Sequence, residues 1–312
     1  MEIWFYYFTD FEMFHPGHAQ MAWDEMKQLG CSAVILPATE PDIEFFGNNV
    51  KRYIDSAKKS RLKVYWIPAR YGGLFAGAPL MSSPFCTRNL NAVIKNEELQ
   101  LRQGRSLMAC VNNPLFQEFF VNQIEKVIGS FGFDGIMMDE PKWSDVTCYC
   151  DYCRAKAHGK DMLLFRQESM AEFLDMLGKT AKQVNNQVKI ALFVEPSTPR
   201  RFAEFTACLE HIDVFGYDGS LGPHTIPGWS KEHLFDVWPF VDKIAKANGK
   251  KSLLVAENFD TNTVDLDQME KSLRLVCQSG CDILTLFYYP FGNSEPGDNM
   301  ERVKRVLMEF IG

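Results

Sequence analysis

No apolar run in this 312-residue sequence approaches the roughly 18 residues that a membrane-spanning helix needs. Nor is there a basic leader with a small-residue cleavage site, because Met1 leads almost at once into Ile3-Trp-Phe-Tyr-Tyr-Phe8. These absences predict a soluble, cytoplasmic protein with no membrane partner. There is no basic stripe either: a net charge of -7 is spread over both signs, which removes the electrostatic footprint of a nucleic-acid binder. No low-complexity or Pro/Gly/Ser-rich linker divides the chain, so one large hydrophobic core is expected. No Gly-rich phosphate turn follows the first apolar run, which argues against a dinucleotide-binding open sheet. The six histidines (His15, His18, His158, His211, His224, His233) avoid the ends of the apolar runs, which weakens a metal-dependent active site.

What is present is a repeat of short apolar runs, each followed by a segment of helical period. The runs lie near Ile3 to Phe8, Ala33 to Pro37, Val64 to Ile67, Gly135 to Met138, Val188 to Val194, Ile212 to Gly216, Ser252 to Ala256 and Ile283 to Tyr288. Strand alternating with helix implies parallel pairing through right-handed crossovers, and eight units close a barrel. A doubly wound open sheet shares the alternation but supplies no reason for eight units. The expected fold class is α/β, a single (β/α)8 TIM barrel over residues 1–312. It carries a long loop after the third strand, at about 69–112, and a cysteine-bearing loop at about 141–158.

Active sites of such barrels lie at the carboxyl ends of the strands. The ends expected here are Asp10, Glu40, Arg70, Asp139 with Glu140, Glu195, Tyr217 with Asp218, Glu257 with Asn258, and Tyr288 with Tyr289. Carboxylates and aromatics together suit a small carbohydrate, whose hydroxyls seek acceptors and whose ring face seeks a flat partner. The fourth end stands out: Gly132-Phe-Asp-Gly-Ile-Met-Met-Asp-Glu-Pro141 delivers two acids and then a proline that stops the ladder. The third connection opens with the Gly- and aromatic-rich stretch Arg70-Tyr-Gly-Gly-Leu-Phe75. With Tyr71 and Phe75 it is expected to close over one side of the pocket, opposite Tyr288, Tyr289 and Phe291. Its second half starts a helix with Asn113 before Pro114.

Nine cysteines is an odd number for a disulfide framework. Cys110, Cys148, Cys150 and Cys153 form a C-x37-C-x-C-x2-C set, and four thiolates in a tetrahedron make a closed structural Zn2+ site. Ordinary buried thiols are the alternative. Cys31, Cys86, Cys208, Cys277 and Cys281 are expected to be small buried hydrophobes.

Two motifs resemble the β-galactosidases of glycoside hydrolase family 42: Cys110-Val-Asn-Asn-Pro-Leu-Phe-Gln-Glu118 and Cys148-Tyr-Cys-Asp-Tyr-Cys-Arg154. A weaker echo is Trp23-Asp-Glu-Met-Lys-Gln-Leu-Gly30. The resemblance implies a retaining (β/α)8 enzyme with a four-cysteine zinc ion, and it covers the barrel alone. It maps the acid/base onto Glu140 and the nucleophile onto Glu257. Where that family has Asn before its acid/base, this chain has Asp139. The expected function is an exo-acting glycoside hydrolase on a small glycoside, with Tyr217 and Arg70 donating to Glu257. A carbohydrate-binding barrel without turnover and a metal-dependent isomerase or hydrolase are the alternatives, and homo-oligomerisation stays open.

Overall fold

The computed structural model describes residues 1–9, 14–77, 81–101, 106–142, 147–222, 231–258, 266–289 and 296–311. Eight parallel strands close in sequence order: β1 (Glu2–Tyr7), β2 (Cys31–Ala38), β3 (Lys63–Pro68), β4 (Gly135–Asp139), β5 (Lys189–Val194), β6 (Val214–Ser220), β7 (Lys251–Glu257) and β8 (Ile283–Tyr289). The closing pair joins Glu2 to Ile283 and Ile3 to Leu284. No described helix is long and apolar enough to cross a membrane.

The period of two along each strand divides the apolar residues between two layers. Trp4, Tyr6, Ile35, Tyr65, Ile67, Met137, Phe193, Val255 and Ile283 fill the barrel interior. Phe5, Leu36, Trp66, Met138, Leu192, Phe215, Leu254 and Leu286 face the surrounding helices. Gly135 makes room for a bulky neighbour, since a Cβ there would come within 2.4 Å of the Tyr65 ring.

At the amino ends of the strands one device recurs. An aspartate just ahead of an even strand accepts a backbone amide from the preceding odd strand: Asp134 from Val64 at 2.9 Å, Asp213 from Ile190 at 2.9 Å, and Asp282 from Ser252 at 2.9 Å. Each pins the register of one strand pair by satisfying an otherwise orphaned amide.

The long excursion after β3 is partly ordered by a short helix, Pro84–Arg88, and by backbone bridges from Val93 to Ala109 and from Lys95 to Leu101. It then enters the helix Pro114–Ser130, capped by Asn113 Oδ1 accepting from Leu115 N at 3.0 Å, as the Asn-Pro pair predicts. Three of the five remaining cysteines, Cys31, Cys86 and Cys281, are buried as expected. Cys208 is exposed and Cys277 half-buried, because both lie at helix ends.

Candidate active site and cysteine cluster

The interior-facing positions continue past the apolar plug and turn acidic at the carboxyl ends. Asp139 lies two residues beyond Met137, Glu195 two beyond Phe193, Asp218 four beyond Val214, and Glu257 two beyond Val255, all in phase with the interior. Asp139, Asp218 and Glu257 are 3%, 5% and 6% exposed, so these are desolvated carboxylates rather than a solvated rim.

Glu140 departs from this phase. One residue after Asp139, a regular strand would aim it at the helices, but its φ of 42° lies in the left-handed region and redirects the side chain. That conformation costs a non-glycine residue roughly 1–2 kcal/mol. Lys142 Nζ then lies 2.8 Å from Glu140 Oε2 and 3.3 Å from Glu195 Oε2, binding the ends of β4 and β5 together. Asp139 Oδ2 accepts from the Tyr6 hydroxyl at 3.0 Å across the barrel.

Burial, followed by the charge of Glu140, pushes the Asp139 carboxyl up to about 7, against the pull of Lys142, Tyr6 and Arg70. Asp218 is held well above the ordinary carboxylate range by burial, then by the charges of Glu257, Glu140 and Asp139. Asp218 and Glu140 come within side-chain hydrogen-bonding reach of one another. Asp218 Oδ1 and Glu140 Oε1 are also buried with no donor among the described residues. A proton carried by Asp218 satisfies such a pair. Glu195 is likewise raised, chiefly by burial.

The stretch after β3 crosses the end of β4. Ala76 N donates to the Asp139 carbonyl at 3.0 Å, and Lys142 N to the Leu74 carbonyl at 2.8 Å. Gly77, at φ 82°, passes so close that a Cβ would lie 2.8 Å from Ile67 and 3.0 Å from Asp139 Oδ2. Arg70, also left-handed at φ 60°, acts electrostatically on Asp139 and Glu140.

Not every expected residue joins this group. Tyr71 and Phe75 are fully buried against the helix Pro114–Ser130, where Tyr71 meets Phe119 and Phe120 and Phe75 meets Phe120. Tyr217 faces the helix layer, 6.4 Å from the His233 ring, and its hydroxyl has no hydrogen-bond partner among the described residues. Tyr289 also faces outward and donates to Glu25, whereas Tyr288 stays with the interior group beside Phe8 and Phe287. Counted from Ile283, the period of two would send Tyr289 inward and Tyr288 outward; the alternation instead slips by one residue at Phe287 and Tyr288, whose rings both lie with the interior group. Asn258 hydrogen-bonds Asn299 at 3.0 Å. Glu40 is a staple of the long excursion, accepting from the Ser83 hydroxyl and from Phe85 N at 2.8 Å. Asp10, Phe291 and His224 lie outside the described residues. Lys142 and Tyr6 were not singled out from the sequence. Lys142 follows Glu140 by two positions, a usable signal, but Tyr6 reads only as strand interior.

The four cysteines do converge. Cys110, Cys148, Cys150 and Cys153 are all buried, their sulfurs lie within 4.8 Å of one another, and none forms a disulfide. Cys110 Sγ lies 3.7 Å from Cys150 Sγ and 3.4 Å from Cys153 Sγ. A tetrahedron with metal–sulfur bonds of about 2.3 Å has edges of about 3.8 Å, so the set fits a tetrahedral ion. Asn112 Nδ2 donates to Cys153 Sγ at 3.4 Å. Among the described residues this is the one group of three or more such ligands at metal-binding distance, and the mouth acids do not form another.

No protein-family model matches the sequence, and no curated protein matches it. Solved structures do match in fold. A β-galactosidase from the haloarchaeon Halorubrum lacusprofundi superposes with a TM-score of 0.70 at 13% identity over 99% of this chain and 58% of its own. An exo-β-1,4-mannosidase from an Opitutaceae bacterium gives 0.63 at 13% identity, covering 99% and 60%. An α-L-fucosidase isoenzyme from Paenibacillus thiaminolyticus gives 0.61 at 13%, covering 99% and 48%. The chain thus spans about half to three-fifths of the length of these glycosidases, and the likeness establishes a shared (β/α)8 architecture.

Proposed function

We propose that the chain is a retaining, exo-acting glycoside hydrolase that releases single units from a small glycoside or oligosaccharide, with Glu140 as acid/base and Glu257 as nucleophile. The observation that carries this reading is the pair of buried glutamates closing β4 and β7, with Asp218 electrostatically coupled to both. In the first step Glu140 protonates the glycosidic oxygen as Glu257 attacks the anomeric carbon. In the second, Glu140 takes a proton from water, which displaces the sugar from Glu257. Lys142 Nζ, 2.8 Å from Glu140 Oε2, is placed to orient that carboxyl group. Asp139 stands where the resembling family has Asn. With its proton affinity raised to about 7 it remains a hydrogen-bond donor near neutrality, as an Asn amide would be. Cys110, Cys148, Cys150 and Cys153 would hold a structural zinc ion that braces the loop before the helix Pro114–Ser130 against the loop after β4.

A second reading, a carbohydrate-binding barrel without turnover, draws on the same Lys142, since its ammonium already occupies Glu140 Oε2 at 2.8 Å and Glu195 Oε2 at 3.3 Å. One experiment separates the two. Purified protein carrying one zinc per chain is assayed on chromogenic glycosides beside Glu257→Gln and Glu257→Gly. Hydrolysis that falls about 10^3-fold or more in both variants, with azide restoring glycosyl-azide formation in Glu257→Gly, supports the retaining enzyme. Sugar binding with no turnover by the unmodified protein supports the binding barrel.

A further inference from the structure

Arg166, on the helix Met162–Val184, is the most conspicuous buried charge outside the acidic group. It is 2% exposed, and its Nε and Nη1 are buried with no hydrogen-bond partner among the described residues. Nη2 donates to the Lys142 carbonyl at 3.4 Å and to Met108 Sδ at 3.7 Å. A guanidinium stays charged at any ordinary pH, and its removal from water is strongly unfavourable unless anions face it. Its unpartnered Nε and Nη1 have no carboxylate partner among the described residues, and the acidic groups that act on it electrostatically are the thiols of Cys110, Cys148 and Cys153.

Four thiolates around a divalent ion carry a net charge of about −2, which one buried cation reduces by half. Arg166 also touches both segments that the cysteines join: Met108 lies two residues before Cys110, and Lys142 lies in the loop leading to Cys148. We propose that Arg166 is the counter-charge of the metal-loaded cysteine site and a positioning residue that relays the state of that site to Lys142 and so to Glu140. The relay's relevance to catalysis rests on the glycosidase reading, whereas the counter-charge does not. When the thiolates are filled, the guanidinium is attracted to them and holds the Lys142 carbonyl at a fixed place. The Lys142 side chain then spans Glu140 and Glu195.

The test uses zinc-loaded full-length protein and two readouts that need no turnover. Zinc release to a chelating dye should be at least about tenfold faster in Arg166→Gln than in the parent, and within about threefold of the parent in Arg166→Lys, which keeps the charge. The carboxyl carbon resonance of Glu140, followed by NMR in glutamate-labelled protein at one fixed pH, should move in Arg166→Gln in the same direction as in Lys142→Met. Equal zinc release from Arg166→Gln and the parent overturns the counter-charge, as does equally fast release from Arg166→Lys and Arg166→Gln. Faster release with an unmoved Glu140 resonance overturns the relay. Should Arg166→Gln not fold, Arg166→Met, which refills the volume without charge, takes its place under the same criteria. Absence of glycoside turnover by the parent would count against the glycosidase reading alone.

Discussion

The two ends of the barrel use the same side chains in opposite electrostatic states. At the amino end, Asp134, Asp213 and Asp282 each accept a backbone amide, and lysines stand beside two of them: Lys58 at 3.2 Å from Asp134, and Lys182 at 2.9 Å from Asp213. Burial alone would raise Asp213, but the hydrogen bonds from Lys182 and the Ile190 amide, with the charges of Lys182 and Lys189, hold it below the ordinary range. At the carboxyl end Asp139 and Asp218 are deeper, face other acids and are raised. A carboxylate whose lone pairs are satisfied stabilises a fold, whereas one kept short of donors retains a proton or a ligand contact. Satisfied and unsatisfied carboxylates are thus separated by about the length of a strand.

The largest effect that would break this contrast is at Asp139. Its folded proton affinity exceeds the ordinary 3.8, so its cost to stability grows as pH rises from about 3.8 to about 7 and is complete above that. Asp139→Asn should therefore be more stable than the parent at pH 8, by on the order of 1–3 kcal/mol in urea unfolding, with a smaller gap at pH 5. Under the proposed glycosidase reading it should also keep most of the activity and extend it to higher pH. A destabilised Asp139→Asn would place this acid in the same class as the amino-end aspartates.

Next in size is Asp213→Ala, which should lose about 1–2 kcal/mol at pH 7 while activity per folded molecule stays unchanged. Because the folded Asp213 is depressed, its contribution is fully present above the ordinary value of 3.8 and is lost as pH falls through the lower folded value. The gap between variant and parent should accordingly begin to narrow only as pH falls below about 3.8. The smallest effect is Gly77→Ala. The left-handed φ and the nearby Ile67 and Asp139 should cost about 1 kcal/mol, read as a slightly lower urea midpoint with a severalfold drop in kcat/KM. An unaffected kcat/KM would show that the stretch after β3 does not shape the pocket.

Much of this architecture was legible in the sequence because the signals are local. Each expected run overlaps an observed strand, and the Cys148, Cys150 and Cys153 triple announced its cluster with a single distant partner. The rim was less legible, for a geometric reason. Reading β6 as ending near Gly216 placed Tyr217 and Asp218 together at the rim, but the strand continues to Ser220, and its period sends Asp218 inward and Tyr217 outward. That rule fails at the end of β8, where Phe287 and Tyr288 both lie with the interior group and Tyr289 faces outward. Contacts such as Tyr6 to Asp139, 133 positions apart, leave no local trace because ring closure alone creates them.

The seam of the ring has a further consequence during synthesis. Asp282 holds Ser252 through its side chain and Glu2 N through its carbonyl at 2.8 Å, so β7, β8 and β1 meet at one residue. β1 pairs with β8 on that side, and β8 ends at Tyr289. On a ribosome the first strand made thus waits for the last. For on the order of tens of seconds at ordinary elongation rates, the apolar segment Ile3 to Tyr7 presents an unpaired edge. This interval, rather than the finished protein, is where aggregation or chaperone capture would act.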